Sequence, residues 1–345
     1  MRGARTLKEI GEQPDAWAAA IRTFDARSAE VQRFFQKRSP DEVIFTGCGS
    51  SYYLSLSAAT AFQQVTGVRA NAVPASEILQ YPGGVFVKGS RPILVASSRS
   101  GTTTETLRTL EVARRRGIPR LSLTCAPRSP LARQADLSLH SPKGGERSVV
   151  MTKSFSSLLL LGLLLGESCG SDPVLHRTLR RLPALGRRVV KVALGLTREI
   201  GTGASRFVFL GAGPMHGIAR EAMLKMTEMA QRPAVAYHPL EFRHGPIAVA
   251  GPGTVAVLLG SRSGARLEAD LVRNLRRFGA MVLYLRDEWK ALAEADVDVA
   301  LDMGLPDEAR CILYLLFAQG LAYYRSVGAG LNPDRPRHLT SVVRL

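Results

Sequence analysis

Two groups of side chains have types and spacings that could do chemistry. The first is Ser98-Arg99-Ser100-Gly101-Thr102-Thr103, four hydroxyls and a guanidinium gathered around one glycine. An apolar run, Pro92-Ile93-Leu94-Val95-Ala96, leads into it. A helical pattern follows, with Leu107, Leu110 and Val112 interleaved with Arg108 and Glu111. This reads as strand, tight turn, helix N-terminus. The first turn of a helix presents unpaired N–H groups and the positive end of its dipole, so it favours an anion. The hydroxyls add donors, Arg99 adds charge, and Gly101 lets the backbone come close or take a positive φ. The same residues would also serve as a plain helix cap, because Ser and Thr are ordinary N-caps. Their density is what points to an anion. The stretch is neither a Gly-Lys-Ser/Thr phosphate loop nor a Gly-x-Gly-x-x-Gly fingerprint. The anion expected here is therefore a phosphate on a small molecule.

The second group is Glu221, Lys225 and Glu228, whose spacings of four and three put all of them on one helical face. It is open to two readings, a solvated ion-paired stripe or a set of acid–base groups. Downstream lies Tyr237-His238-Pro239-Leu240-Glu241-Phe242-Arg243-His244-Gly245-Pro246. His244 titrates in the range that acid–base work needs, and would equally serve in polar packing.

The elements that must position these groups alternate. Helices are expected over 6–38, with Trp17, Ile21, Phe24, Val31 and Phe34 at mostly helical spacing, broken at Ser39-Pro40-Asp41. Strands are expected at 43–46, 68–73, 92–96, 120–124 and 136–140. Helices are expected at about 52–65, 152–167 and 173–199, with a helical piece opening at Pro74. Such alternation argues for a parallel α/β sheet. The pattern then restarts. Phe209, Gly211 and Gly213 lie 164 positions after Phe45, Gly47 and Gly49; Glu241 has the same offset from Glu77, and Ala234-Val235 is offset by 162 from Ala72-Val73. An internal duplication follows, two α/β halves joined near 170–205, with ligands expected beyond the carboxyl ends of the strands. The second-half strand 255–260 ends in Ser261-Arg262-Ser263-Gly264, which lacks the threonines and reads as a decayed copy of the first loop. The domains expected are N-terminal helices (1–40), a phosphate-binding subdomain (41–170), a linking helix (171–204), a second subdomain (205–330) and a tail over the active site (331–345).

Composition narrows the classes. With 345 residues, 46% of them hydrophobic, the chain can bury two cores. The formal charge of +17 is spread along the chain; its densest clusters are Arg114-Arg115-Arg116, Arg180-Arg181 and Arg187-Arg188, with few aromatics among them. Nucleic-acid binding is therefore not expected, and attraction of a small anionic substrate is. Cys48, Cys125, Cys169 and Cys311 are not in metal-binding spacing, and no secretory signal opens the chain, so reduced thiols in the cytoplasm are expected. The longest apolar run, Leu158 to Leu165, is too short to span a membrane.

Six ordered stretches, running from about 43 to 343, carry a specific resemblance. They are Gly47-Cys48-Gly49-Ser50-Ser51, the serine loop, Met151-Thr152-Lys153-Ser154-Phe155, Glu221 to Glu228, Glu241-Phe242-Arg243-His244-Gly245-Pro246, and Asn332 to Leu339. Together they resemble the sugar isomerase (SIS) domain family, in particular the double-SIS isomerase half of glucosamine-6-phosphate synthase and its stand-alone relatives. The resemblance implies two doubly wound parallel-sheet subdomains, three-layer α/β/α and flavodoxin-like. It implies that Ser51, Ser98, Arg99, Ser100 and Thr103 hold the sugar phosphate. Glu228 would move a proton between C1 and C2 of the open-chain sugar, and Lys225 and Glu221 would orient substrate oxygens. His244 would open the ring from the partner subunit of a homodimer. Cys48, Gly49, Val149, His338 and Ser341 would line the rest of the pocket, with no metal or organic cofactor, since enolisation needs only acid–base groups.

Two departures qualify the resemblance. The chain opens Met1-Arg2-Gly3 with no glutaminase domain ahead of the matched region, so glutamine-dependent synthesis is not expected. Where the synthase tail carries a Schiff-base lysine, this sequence has Ser341, and a hydroxyl cannot form an imine. The activity expected is isomerisation and deamination of an amino-sugar 6-phosphate. A fructosamine-6-phosphate deglycase is the alternative enzyme. A non-catalytic phosphosugar-binding regulator is the alternative of another class, favoured by the missing lysine and opposed by the retained Glu228, Lys225 and His244.

Overall fold

A computed structural model describes residues 2–287 and 294–340. The chain divides into two compact units, one formed by Lys8–Arg187 with His338–Leu345, the other by Met1–Leu7 with Arg188–Arg337. Helix α1 (Ala4–Gly11) opens the chain.

The first unit begins with α2 (Gln13–Asp25) and α3 (Ser28–Arg38). Trp17, Ala20, Ile21 and Phe24 recur at helical spacing and are buried. The break expected at Ser39 is the left-handed end of α3, with φ 41°. The chain then alternates through β1 (Glu42–Gly47), α4 (Ser50–Thr66), β2 (Arg69–Pro74), α5 (Ala75–Gln80), α6 (Pro82–Val85), β3 (Pro92–Ser98), α7 (Thr104–Arg115), β4 (Arg120–Thr124), α8 (Pro130–Gln134) and β5 (Leu137–His140). The strands make one parallel sheet in the order β2-β1-β3-β4-β5. Phe45 lies opposite both Ala72 and Val95. The central strands β1 and β3 are buried along their whole length, which is why they read as continuous apolar runs rather than alternating ones. The leucine run 158–165 belongs to α9 (Lys153–Cys169), buried from Lys153 to Gly166 and packed against α4, α2 and α3. The Trp17 indole N–H donates to Ser156 Oγ at 2.8 Å and ties α2 to it.

Helix α10 (Pro173–Thr197) leads into the second unit: β6 (Arg206–Gly211), α11 (Pro214–Ala230), β7 (Ala234–Tyr237), β8 (Thr254–Leu259), α12 (Ala265–Arg277), β9 (Met281–Arg286), β10 (Val297–Ala300) and α13 (Asp307–Gly328). Its parallel sheet runs β10-β9-β8-β6-β7. Read from the other edge, that is the order of the first sheet, so the duplication seen in the sequence is a duplication of topology. The two leading turns match as well. A Cβ on Gly47 would stand 2.6 Å from the carbonyl carbon of Ser51, and one on Gly211 would stand 2.5 Å from the carbonyl oxygen of Met215. Each glycine lets the following helix return close to its own strand. The next glycines, Gly49 and Gly213, take φ near +55° with ψ of −124° and −133°, a region that side chains disfavour. Among the described residues no helix is long and apolar enough to cross a membrane.

Candidate active site

In the first unit the chain leaves β1 toward β2 on one side and passes from β3 to β4 on the other. The crevice of a doubly wound sheet opens at such a switch point, beyond the carboxyl ends of β1 and β3. The turn 47–51 and the loop 98–103 both lie there. Ser98 ends β3 and is buried; its Oγ accepts from the Gly101 amide at 3.1 Å and stands 3.1 Å from Thr103 Oγ1. Ser100 Oγ accepts from the amide and the hydroxyl of Thr102, at 3.2 and 2.9 Å. Gly101 takes φ +64°, and a Cβ there would fall inside the Ser129 side chain. Ser129 in turn caps α8, accepting from the Ala132 amide at 3.3 Å, while Gly101 O accepts from the Leu131 amide at 3.1 Å. The loop is thus moulded against the next βα connection. Thr103, at the N-cap of α7, makes no side-chain cap bond. The plain-cap reading therefore does not describe this loop, whose hydroxyls face one another.

Ser51 is buried in the first turn of α4, its Oγ 3.9 Å from Met151 Sδ. Cys48 Sγ lies 3.6 Å from Thr106 Oγ1, and burial raises its thiol pKa, which disfavours a thiolate. Arg99 donates to the carbonyl oxygens of Val149 at 3.0 Å and Ser148 at 3.4 Å, and its Nη1 is 3.5 Å from the wholly buried carboxylate of Glu146. Glu146 also accepts from the amide and hydroxyl of Thr152, both at 2.6 Å, and from Ser154 Oγ. Arg99 and Glu146 therefore bind the 146–154 segment to the serine loop. Ser51, Ser98, Arg99, Ser100, Thr103, Cys48, Gly49 and Val149 all belong to this unit. Glu146 was not singled out from the sequence; its one signal there is an isolated acid in Gly144-Gly145-Glu146-Arg147, just ahead of Thr152-Lys153.

The second unit carries the acid–base trio on α11. Lys225 and Glu221 are both wholly buried with Nζ and Oε1 3.3 Å apart. Glu228 pairs with the same ammonium, and its side chain is 19% exposed. Burial opposes the charge on Lys225, and the two flanking carboxylates outweigh it, so its pKa is raised. A solvated stripe is excluded, since two of the three groups have no solvent contact. His244 stands exposed after the short turn Glu241–Arg243, its amide bonded to Glu241 O at 3.0 Å. Two further histidines meet in this unit: His216 in the first turn of α11 and His238 just after β7 stack with centroids 3.9 Å apart and planes 8° apart. Burial, then the neighbouring His238 and Arg220, bring the His216 pKa down to about 4. His338 is exposed. Ser341 lies outside the described residues. Among the described residues, no three or more His, Cys, Asp or Glu gather in a way that could hold a metal ion.

A duplicated flavodoxin-like parallel sheet with a hydroxyl-rich loop at the switch point of its first copy defines the class as a double α/β domain. The SIS domain family model matches residues 38–168 and 202–327, and the chain belongs to that family. It is 29% identical over 344 residues to the glutamine–fructose-6-phosphate aminotransferase [isomerizing] of Methanothermobacter thermautotrophicus, covering 98% of this chain and 57% of that protein. The chain thus spans a little over half the length of this curated relative. The crystal structure of glucosamine-6-phosphate deaminase from Thermotoga maritima is 30% identical, covers 99% of this chain and 100% of its own, and superposes with a TM-score of 0.82. Tagatose-6-phosphate ketose/aldose isomerase from Escherichia coli shares the fold, with TM-score 0.87 at 23% identity over 97% of this chain and 96% of its own.

Proposed function

We propose that this chain is a phosphosugar isomerase of the deaminating kind, acting on an amino-sugar 6-phosphate of the glucosamine-6-phosphate type. The observation that carries the reading is Lys225, wholly buried between Glu221 and Glu228, with Glu228 the member of the trio that reaches solvent. A carboxylate held at a fixed ammonium and open on one side suits a base that works on a carbon acid. Glu228 takes the C2 proton of the open-chain aldose and returns it to C1. One carboxylate serves both carbons because a cis-enolamine presents them on the same face. O1 takes up a proton as C2 loses its own. The enolamine nitrogen gives one up as C1 is protonated and becomes the C2 imine, and water then releases ammonia and leaves the ketose phosphate. Lys225 and Glu221 fix Glu228 and orient substrate oxygens.

Ser51, Ser98, Arg99, Ser100 and Thr103 hold the phosphate, and Cys48, Gly49, Val149 and His338 border the sugar. His244 opens the sugar ring in the partner subunit's site, which makes the working form a homodimer; its exposure supports that role. The setting is cytoplasmic, and the 30% identity to a glucosamine-6-phosphate deaminase supports deamination over isomerisation alone.

The test is proton NMR with glucosamine 6-phosphate in deuterated water, run beside an ammonia assay. Loss of the C2 proton signal with ammonia release is expected. Exchange without ammonia would reduce the activity to isomerisation, and saturable binding with neither change would put the regulator reading first.

A further inference from the structure

The second copy of the serine loop has a different fate from the first. Ser261 and Gly264 stand 163 positions after Ser98 and Gly101, and the two loops follow β8 and β3, which hold the same place in their sheets. One bond is common to both: the Gly264 amide donates to Ser261 Oγ at 3.1 Å, as the Gly101 amide does to Ser98 Oγ at 3.1 Å. Beyond that they part. Helix α12 starts one residue after Gly264, whereas α7 starts three residues after Gly101. The earlier start turns the first acid of α12 back over the loop. The Glu268 carboxylate, 2% exposed, accepts from the Ser261 amide at 3.0 and 3.1 Å, from Ser261 Oγ at 2.6 Å and from Tyr284 Oη at 3.3 Å. Glu105, at the matching place in α7, makes no bond to Ser98 or Gly101 among the described residues.

Other carboxylates complete the closure. The Arg262 amide donates to both Asp307 oxygens, at 3.3 and 3.2 Å. The Arg262 guanidinium lies 3.6 Å from Asp287, and the wholly buried Arg310 lies 3.1 Å from the same Asp287 and also pairs with Asp307. Gly264 leaves no slack: a Cβ there would stand 2.5 Å from Ser261 Oγ and 2.9 Å from Glu268 Oε1. The amides of Ser261, Arg262 and Gly264 and the Ser261 hydroxyl, donors that would face an incoming phosphate in such a loop, are met by oxygens of the chain itself.

We infer that the Ser261–Gly264 loop is a phosphate-type cradle kept filled by the tethered carboxylate of Glu268, and that Glu268 thereby confines the chain to one phosphorylated ligand. The inference draws on the phosphate reading of the Ser98 loop but is tested at a different place. Equilibrium dialysis against radiolabelled inorganic phosphate at low ionic strength counts the sites. The wild type is expected to bind one phosphate per chain, lost in Ser98→Ala/Ser100→Ala and unaffected by Ser261→Ala. Glu268→Ala is expected to bind two, the second lost again when Ser261→Ala is added. A Glu268→Ala chain that folds and still binds one overturns the inference. So does a wild type that binds two, one of them removed by Ser261→Ala, a result readable even if Glu268→Ala does not fold. A wild type that binds none, while Glu268→Ala binds one at Ser261, would refute the Ser98 assignment and leave the tethered carboxylate standing.

Discussion

Replacing Lys225 by Met keeps most of the side-chain length and removes the charge from a site with no solvent contact. Glu221, also wholly buried, is then left beside an apolar chain where an ammonium stood at 3.3 Å. At that distance and an effective dielectric of about 20, the Coulomb attraction is about 5 kcal/mol. Desolvation of both ions offsets much of it, so the intact pair contributes little net stability. Breaking it is another matter, because the stranded carboxylate keeps its desolvation penalty. Lys225→Met is therefore expected to lower the unfolding free energy by about 3–5 kcal/mol. Neutralising Glu221 as well, in Glu221→Gln/Lys225→Met, should recover about 2–3 kcal/mol relative to the sum of the single changes. Urea unfolding followed by circular dichroism reads both quantities from the midpoint at unchanged slope. A Lys225→Met loss below about 1 kcal/mol, or a double variant equal to the sum of the singles, would refute the buried clamp.

Three further outcomes follow from particular contacts. Gly101→Ala sets a Cβ into the Ser129 side chain at φ +64°; a loss of at least about 2 kcal/mol is expected in the same urea assay, only partly recovered by adding Ser129→Gly. The His216 pKa of about 4 in the fold lies below the unfolded value of about 6.5. The unfolded chain then binds the extra proton, so stability present above about pH 6.5 is lost as the pH falls toward 4, by about 1–2 kcal/mol once the ring's partial exposure is allowed for. His216→Phe should flatten that segment of the stability–pH curve, and an unchanged slope would show that His216 does not cause it. Sedimentation of the intact chain should give a dimer, and a monomer at working concentrations would remove His244 from any shared site.

The strands and turns were legible where local sequence decides them. Val43-Ile44-Phe45 and Phe207-Val208-Phe209 are buried on both faces, and the glycines after them sit where the returning helix leaves no room for a Cβ. The last part of the second sheet was not read, because β10 is four residues long with Asp298 inside it, and its pairing with β9 is a tertiary matter. Within the site, the Glu221, Lys225, Glu228 spacing predicted one face, and burial supplied what spacing could not, that the face is internal. Arg99 was legible as a charge in the loop. Its partners, Glu146 and the carbonyls of Ser148 and Val149, lie about fifty residues on, beyond any local pattern. Ser261-Arg262-Ser263-Gly264 reads nearly like the first loop, and only the early start of α12 reveals that Glu268 fills it.

The central claim is that Glu228 moves the proton. The direct measurement is hydrogen–deuterium exchange at C2 of glucosamine 6-phosphate by Glu228→Gln, with sugar-phosphate affinity measured on the same sample. Exchange should fall by about 10²-fold or more while affinity changes by only a few fold, since the proposed phosphate contacts are those of the Ser98 loop. Exchange at the wild-type rate in the variant would contradict the account and assign the proton transfer to another residue.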